Sequence, residues 1–145
     1  MEITRRYAAI MITDIVGYTS LMGKDENKAL DLLEKNRKIQ KPLIKEFRGH
    51  FVKEMGDGIM ARFSTSSEAI ICAAKIQAKA LEQNISLRIG LHDGEVNFQN
   101  NDTFGEVLNI ASRIEPLALP GNIRGEVQKY LCILLRPWCG FIGSW

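Results

Sequence analysis

Two carboxylates occupy positions in the sequence that suit chemistry better than structure. Asp57 lies between Gly56 and Gly58 in the stretch FVKEMGDGIMARF, residues 51–63. This stretch reads as two short strands, Phe51–Met55 and Ile59–Phe63, joined by a tight turn whose glycines permit positive φ. Asp14 closes an apolar run, Tyr7–Thr13 (YAAIMIT), and precedes Ile15, Val16, Gly17, Tyr18, Thr19 and Ser20. A carboxylate at the end of a buried strand, ahead of a glycine turn, is a common ligand position. The backbone N–H groups of Gly17, Tyr18 and Thr19, at the start of the helix expected there, suit phosphate oxygens. Lys53 precedes the Asp57 turn and Asp102 lies in a polar segment further on. Asn109 and Arg113 are four apart, so a helix presents both on one face. Two carboxylates, one at a strand end and one on a hairpin turn, are what a two-metal site needs, and Mg²⁺ prefers oxygen ligands while keeping substrate phosphates in its shell. An arginine offsets charge on phosphoryl oxygens, and an amide orients a nucleophile or sugar. A Lys/Asp pair supplies one donor and one acceptor for a base edge. The set describes phosphoryl transfer on a nucleotide. Plainer readings stand beside it: Asp57 as a turn former, Asp14 or Thr19 as a helix cap, and Asn109 with Arg113 as a surface pair.

The elements that must position these residues follow from periodicity. Tyr7–Thr13 reads as a strand buried on both faces. From Asp25, the residues Ala29, Leu30, Leu33, Ile39, Leu43 and Phe47 recur at helical spacing, with Pro42 expected to kink or break the helix and Gly49 to stop it. After the 51–63 hairpin, Ser64–Glu68 is rich in capping residues and opens a second amphipathic helix. Its stripe is Ala69, Ile70, Ala73, Ala74, Ile76, Gln77, Ala80 and Leu81. Ser86–Val96 reads as a strand with glycine kinks, in which His92 has no partner at metal-ligand spacing. Asn97–Thr103 reads as polar turn. A third helix is expected from about Glu106 to Leu117, with Val107, Leu108, Ile110, Ala111 and Ile114 facing the sheet. The order strand, helix, hairpin, helix, strand, helix predicts an α/β (α+β) sandwich, of the ferredoxin-like or palm type, with a mostly antiparallel sheet covered by helices.

The chain has 145 residues, enough for one domain with a core. Its net charge of +2 is too small to argue for a nucleic-acid partner, and no linear Lys/Arg cluster with interleaved aromatics changes that. Cys72, Cys132 and Cys139 have neither disulfide-framework nor zinc spacing, which points to free thiols and a cytoplasmic location. The apolar stretch Tyr130–Leu135 is too short to span a bilayer, so no membrane partner is expected.

The sequence resembles the class III nucleotidyl cyclases from about Arg6 to Asn122. ITDIVGYTSL is similar to the family's first metal motif, which implies Asp14 as a metal ligand with the Ile15 carbonyl nearby. FVKEMGDGIMARF is similar to its metal hairpin, implying Asp57 as the second ligand and Lys53 as a base-recognition residue. LRIGLHDGEV is similar to the strand before the substrate loop, and in DTFGEVLNIASRIE Asp102 falls at the second base-recognition position. Asn109 and Arg113 match the ribose-orienting and transition-state positions. The resemblance implies two Mg²⁺ or Mn²⁺ ions per site, ATP as substrate, and cyclic AMP and pyrophosphate as products. It also implies a head-to-tail homodimer, with Asp14 and Asp57 of one chain facing Lys53, Asp102, Asn109 and Arg113 of the other. Lys and Asp are the adenine-type pair; guanylyl cyclases typically carry Glu and Cys there. A diguanylate cyclase or polymerase-palm relative would instead show a Gly-Gly-Asp/Glu-type turn. The core is expected to span 1–123, with 124–145 departing from the family. There only Val127–Leu131 is loosely compatible with the family's next helix, and the segment rich in Trp138, Phe141, Ile142 and Trp145 matches nothing in it. Such a terminus would open a sheet edge and remove a phosphate contact, weakening activity or dimerisation. The competing expectation is a catalytically weak cyclase-like module that binds nucleotide or a protein partner.

Overall fold

The computed structural model describes residues 2–100, 102–127 and 130–134. Strand β1 (Thr4–Ile15) leads through helices α1 (Tyr18–Lys24) and α2 (Glu26–Glu46) to the hairpin β2 (His50–Met55) and β3 (Gly58–Phe63). Helix α3 (Ser66–Glu82) returns to β4 (Leu87–Gln99), which turns into β5 (Asp102–Phe104). Helix α4 (Glu106–Ile114) and a 3₁₀ turn (Glu115–Leu117) follow, then β6 (Ile123–Val127) and β7 (Tyr130–Leu134). The seven strands among the described residues form one sheet in the order β2-β3-β1-β4-β6-β7, with β5 hydrogen-bonded to β4. Among the described strands only β4 and β6 run parallel. The order β2-β3-β1-β4 is the ferredoxin-like arrangement expected above.

The pleat of β1 sorts its residues onto two cores. Ala9, Met11 and Ile15 enter the larger one with Ile59, Phe63, Leu87, Ile89 and Leu91, covered by α2 and α3. Ala8, Ile10 and Ile12 enter the smaller one with Met60, Val96 and α4 residues Val107, Leu108 and Ala111. Burial on both faces explains why the middle of β1 is apolar without alternation.

Several boundaries differ from expectation. Helix α2 runs through Pro42, which is exposed and lies in the helix's last turns, so the lost backbone bond faces water. Leu30 and Leu81 are exposed rather than buried. The segment 97–103 is no open turn: β4 continues to Gln99 and pairs back with β5. Helix α4 ends at Ile114 and tightens into the 3₁₀ turn that contains Pro116: Glu115 before it keeps helical geometry at φ −54°, ψ −48°, but Pro116 has no N–H to continue the α-helical ladder. Tyr130–Leu134 is strand rather than helix, pairing antiparallel with β6, as its aromatic and branched residues favour. Trp138, Phe141, Ile142, Trp145 and Cys139 lie outside the described residues. Among the described residues no helix is long and apolar enough to cross a membrane.

Candidate active site

The antiparallel pairing of β1 with β3 sets Thr13 opposite Ile59, so the end of β1 meets the β2–β3 turn. Gly56 holds φ at 61°, where an L side chain is disfavoured, and lets the turn fold back. Asp57 Oδ2 there accepts a 2.8 Å hydrogen bond from the Ile15 amide, one residue beyond Asp14. The structure thus brings together two of the sequence-predicted ligands that lie 42 apart in the chain. Ile15 contributes its amide to this contact, and its side chain is buried in the α2/α3 core. Beneath this end a buried polar chain fixes β1 to α2: Gln40 Nε2 donates to Thr13 Oγ1 at 2.9 Å and to Asn36 Oδ1 at 2.8 Å.

Two residues not singled out in the sequence complete the cluster. Arg88 pairs in register with Asp14 across β1 and β4, its guanidinium 3.9 Å from Asp14 Oδ1, and its Nε donates to the Ala118 carbonyl at 3.2 Å. Glu115 is 6% exposed, and its Oε2 and Asp14 Oδ1 are buried without a hydrogen-bond partner. Burial first, then the adjacent Asp14 carboxylate, push the Glu115 carboxyl up to about 8; Arg88 opposes this and Asp57 adds to it. Glu115 reaches this place because Gly90 lets the 3₁₀ turn lie against β4. A Cβ on Gly90 would stand 2.5 Å from the Glu115 nitrogen and 2.6 Å from its Cα.

The donor set is hard oxygen, and it includes buried acceptor atoms, Asp14 Oδ1 and Glu115 Oε2, that accept no hydrogen bond. That is the chemistry a divalent ion of the Mg²⁺ or Mn²⁺ type fits. Among the described residues no group of three or more His, Cys, Asp or Glu side chains is arranged to hold a metal. Two carboxylates, Asp14 and Asp57, would leave most positions around such an ion to substrate oxygens and water.

Gly17 takes the left-handed conformation at φ 78° and caps α1 without a side-chain bond. Tyr18 packs on the larger core and Thr19 is exposed. The remaining sequence-predicted residues lie elsewhere. Lys53 is exposed on β2, beside Glu54, which Arg37 of α2 grips through Nε at 2.9 Å to each carboxylate oxygen. Asp102 is exposed at the start of β5, accepting from the Thr103 amide at 2.9 Å. Asn109 and Arg113 project from the exposed face of α4, where Glu106 meets both, at 3.5 Å and 4.0 Å. Glu106 was legible in principle, because spacings of three and seven share a helix face. No hydrogen bond or ion pair among the described residues joins Lys53, Asp102, Asn109 or Arg113 to Asp14 or Asp57.

A family model described as the adenylate and guanylate cyclase catalytic domain matches residues 4–136. The chain belongs to this family. The match runs past Asn122, through β6 and β7. Over 131 residues this cyclase domain is 36% identical to a protein named putative adenylate cyclase 3 from Rhizobium meliloti (strain 1021), covering 84% of this chain and 22% of that protein. It is 29% identical over 120 residues to an adenylate cyclase of Streptomyces coelicolor (strain ATCC BAA-471 / A3(2) / M145), covering 81% and 32%. The domain thus spans under a third of either relative. A crystal structure of an adenylate/guanylate cyclase/hydrolase from Silicibacter pomeroyi is similar with a TM-score of 0.79 and 33% identity, covering 86% of this chain and 77% of that one.

Proposed function

We propose that this cyclase domain converts ATP to 3′,5′-cyclic AMP and pyrophosphate, in sites shared between two head-to-tail copies. The observation that carries the reading is the bond from the Ile15 amide to Asp57, which sets the hairpin turn beside Asp14 and its buried oxygen that accepts no hydrogen bond. Asp14 and Asp57 are the residues to hold divalent ions, which when bound would acidify the ribose 3′-hydroxyl and offset charge at the α-phosphorus. Gly17–Thr19 present backbone N–H groups next in the chain, and the Arg88 guanidinium adds positive charge beside Asp14 for a phosphate to meet. Lys53 donates to the adenine ring nitrogen and Asp102 accepts from its exocyclic amine. This pairing disfavours guanine, whose edge presents a carbonyl in place of that amine. Asn109 orients the ribose, and Arg113 neutralises charge that grows on the phosphoryl oxygens. Because no hydrogen bond or ion pair among the described residues joins these four to Asp14 or Asp57, a second copy is the natural source of the complementary half. The names of the relatives from Rhizobium and Streptomyces support the adenylate reading.

A second reading, a nucleotide-binding module without turnover, has one observation in its favour: Glu106 already occupies Asn109 and Arg113. That ion pair is 4.0 Å long between side chains 77% and 68% exposed, so a bound phosphate displaces it easily. Incubation with ATP or GTP and Mg²⁺ or Mn²⁺ decides between the two. Equimolar cyclic AMP and pyrophosphate from ATP, in excess over cyclic GMP from GTP, is the expected result. Bound ATP with no cyclic AMP under either metal makes the domain a binding module.

A further inference from the structure

The fold assembles a basic cluster that no linear stretch of the sequence contains. Arg6 at the start of β1, Arg48 before β2, His50 and Arg62 line a cavity of about 220 Å³ together with Phe98 and Ser64. The Arg6 and Arg62 guanidinium carbons lie 5.1 and 4.7 Å from the centroid of the Phe98 ring, so one ring contacts both cations. Arg62 is fixed further by donating from Nη1 to Thr103 Oγ1 at 2.7 Å. Among the described residues none of the three arginines makes an ion pair. The unbalanced charge is felt locally: burial and the Arg6 charge lower the pKa of Arg62, and burial and the Arg62 charge lower that of His50.

Like charges gathered in a recess with no ion pair among the described residues cost stability, and a bound anion lowers that cost. Guanidinium forks match oxyanions two bonds at a time. The cavity lies below the ~300–1,000 Å³ range of pockets for drug-sized ligands, and its size suits a small oxyanion. Its place also separates it from the carboxylate end of the sheet. Arg6 and Asp14 mark opposite ends of β1, about 25 Å apart at a strand rise of ~3.3 Å per residue.

We propose that Arg6, Arg48, His50 and Arg62 form a second, non-catalytic site for a small oxyanion, a phosphate or a compact carboxylate, at the end of the sheet remote from Asp14 and Asp57. This site stands independently of the proposed cyclase reaction. The test is titration of the metal-free full chain with inorganic phosphate and, separately, with malonate, reading the Nε–Hε resonances of Arg6 and Arg62 by NMR. Saturable shifts with either anion are expected, and which anion binds more tightly identifies the source. Arg6→Gln and Arg48→Gln, both at exposed positions, raise the dissociation constant about tenfold or more, whereas Asp14→Asn leaves it unchanged. No saturable shift with either anion overturns the proposal. So does wild-type affinity in both arginine variants, or loss of binding in Asp14→Asn.

Discussion

Substituting Gly90 by alanine tests how the candidate site is built. The new methyl carbon would meet the Glu115 nitrogen at 2.5 Å, its Cα at 2.6 Å and its Cβ at 2.8 Å. Two of these are backbone atoms of the 3₁₀ turn, so no side-chain rotation relieves the clash and the turn must lift from β4. Overpacking in a core costs about 1–3 kcal/mol, and a backbone collision belongs at the upper end, about 2–3 kcal/mol. For a domain near this length about 2–4 °C is lost per kcal/mol, so Tm should fall by about 4–12 °C. Gly23→Ala is the control: Gly23 lies in α1 with nothing within 4 Å of a Cβ, and alanine there should be neutral or stabilising by up to about 1 kcal/mol. Thermal and urea unfolding of both variants without metal reads the difference. Lifting the turn also moves Glu115 from Asp14, so Mn²⁺ affinity of Gly90→Ala should change while that of Gly23→Ala does not. A Gly90→Ala protein as stable as wild type, with the same Mn²⁺ affinity, would refute the packing argument.

Other consequences follow from buried polar groups. In the metal-free protein the Glu115 carboxyl is raised from 4.5 to about 8, so its stabilising contribution is complete below pH 4.5 and is lost as pH rises through 8. Glu115→Gln should therefore flatten the fall in stability between those values, measured by urea unfolding across pH. Cys72 is fully buried, and burial pushes its thiol up to about 12. Its peptide should stay unalkylated by iodoacetamide at pH 8 until urea unfolds the chain, as mass spectrometry would record. The Tyr7 hydroxyl donates to Asp93, so Tyr7→Phe should cost about 1.5–3 kcal/mol in unfolding free energy.

What the sequence made legible depended on how local the cause was. Asp57 between two glycines and Asp14 at the end of an apolar strand announce themselves, because turn chemistry and strand burial act over a few residues. Their convergence needed the β1–β3 register, which no local pattern carries and which the pairing of Thr13 with Ile59 supplies. Glu115 was illegible: beside Pro116 it reads as a helix end, and only the absence of a side chain at Gly90 carries it to Asp14. Arg88 looked like an ordinary polar position of a strand until Asp14 lay opposite it. Pro42 misled because its cost is paid only where the lost backbone bond would be buried, and there it is exposed. The arginines around Phe98 come from three separate segments, and no linear scan for basic clusters finds them.

The central claim is that Asp57 of one chain and Arg113 of another serve one adenylyl cyclase site. Mixing separately inactive Asp57→Ala and Arg113→Ala chains in equal amounts and measuring cyclic AMP tests it most directly. Half of the dimers then pair unlike chains, and each of those holds one intact site, so about a quarter of wild-type activity should return. No recovery, with heterodimer formation demonstrated by mass spectrometry, would contradict the account.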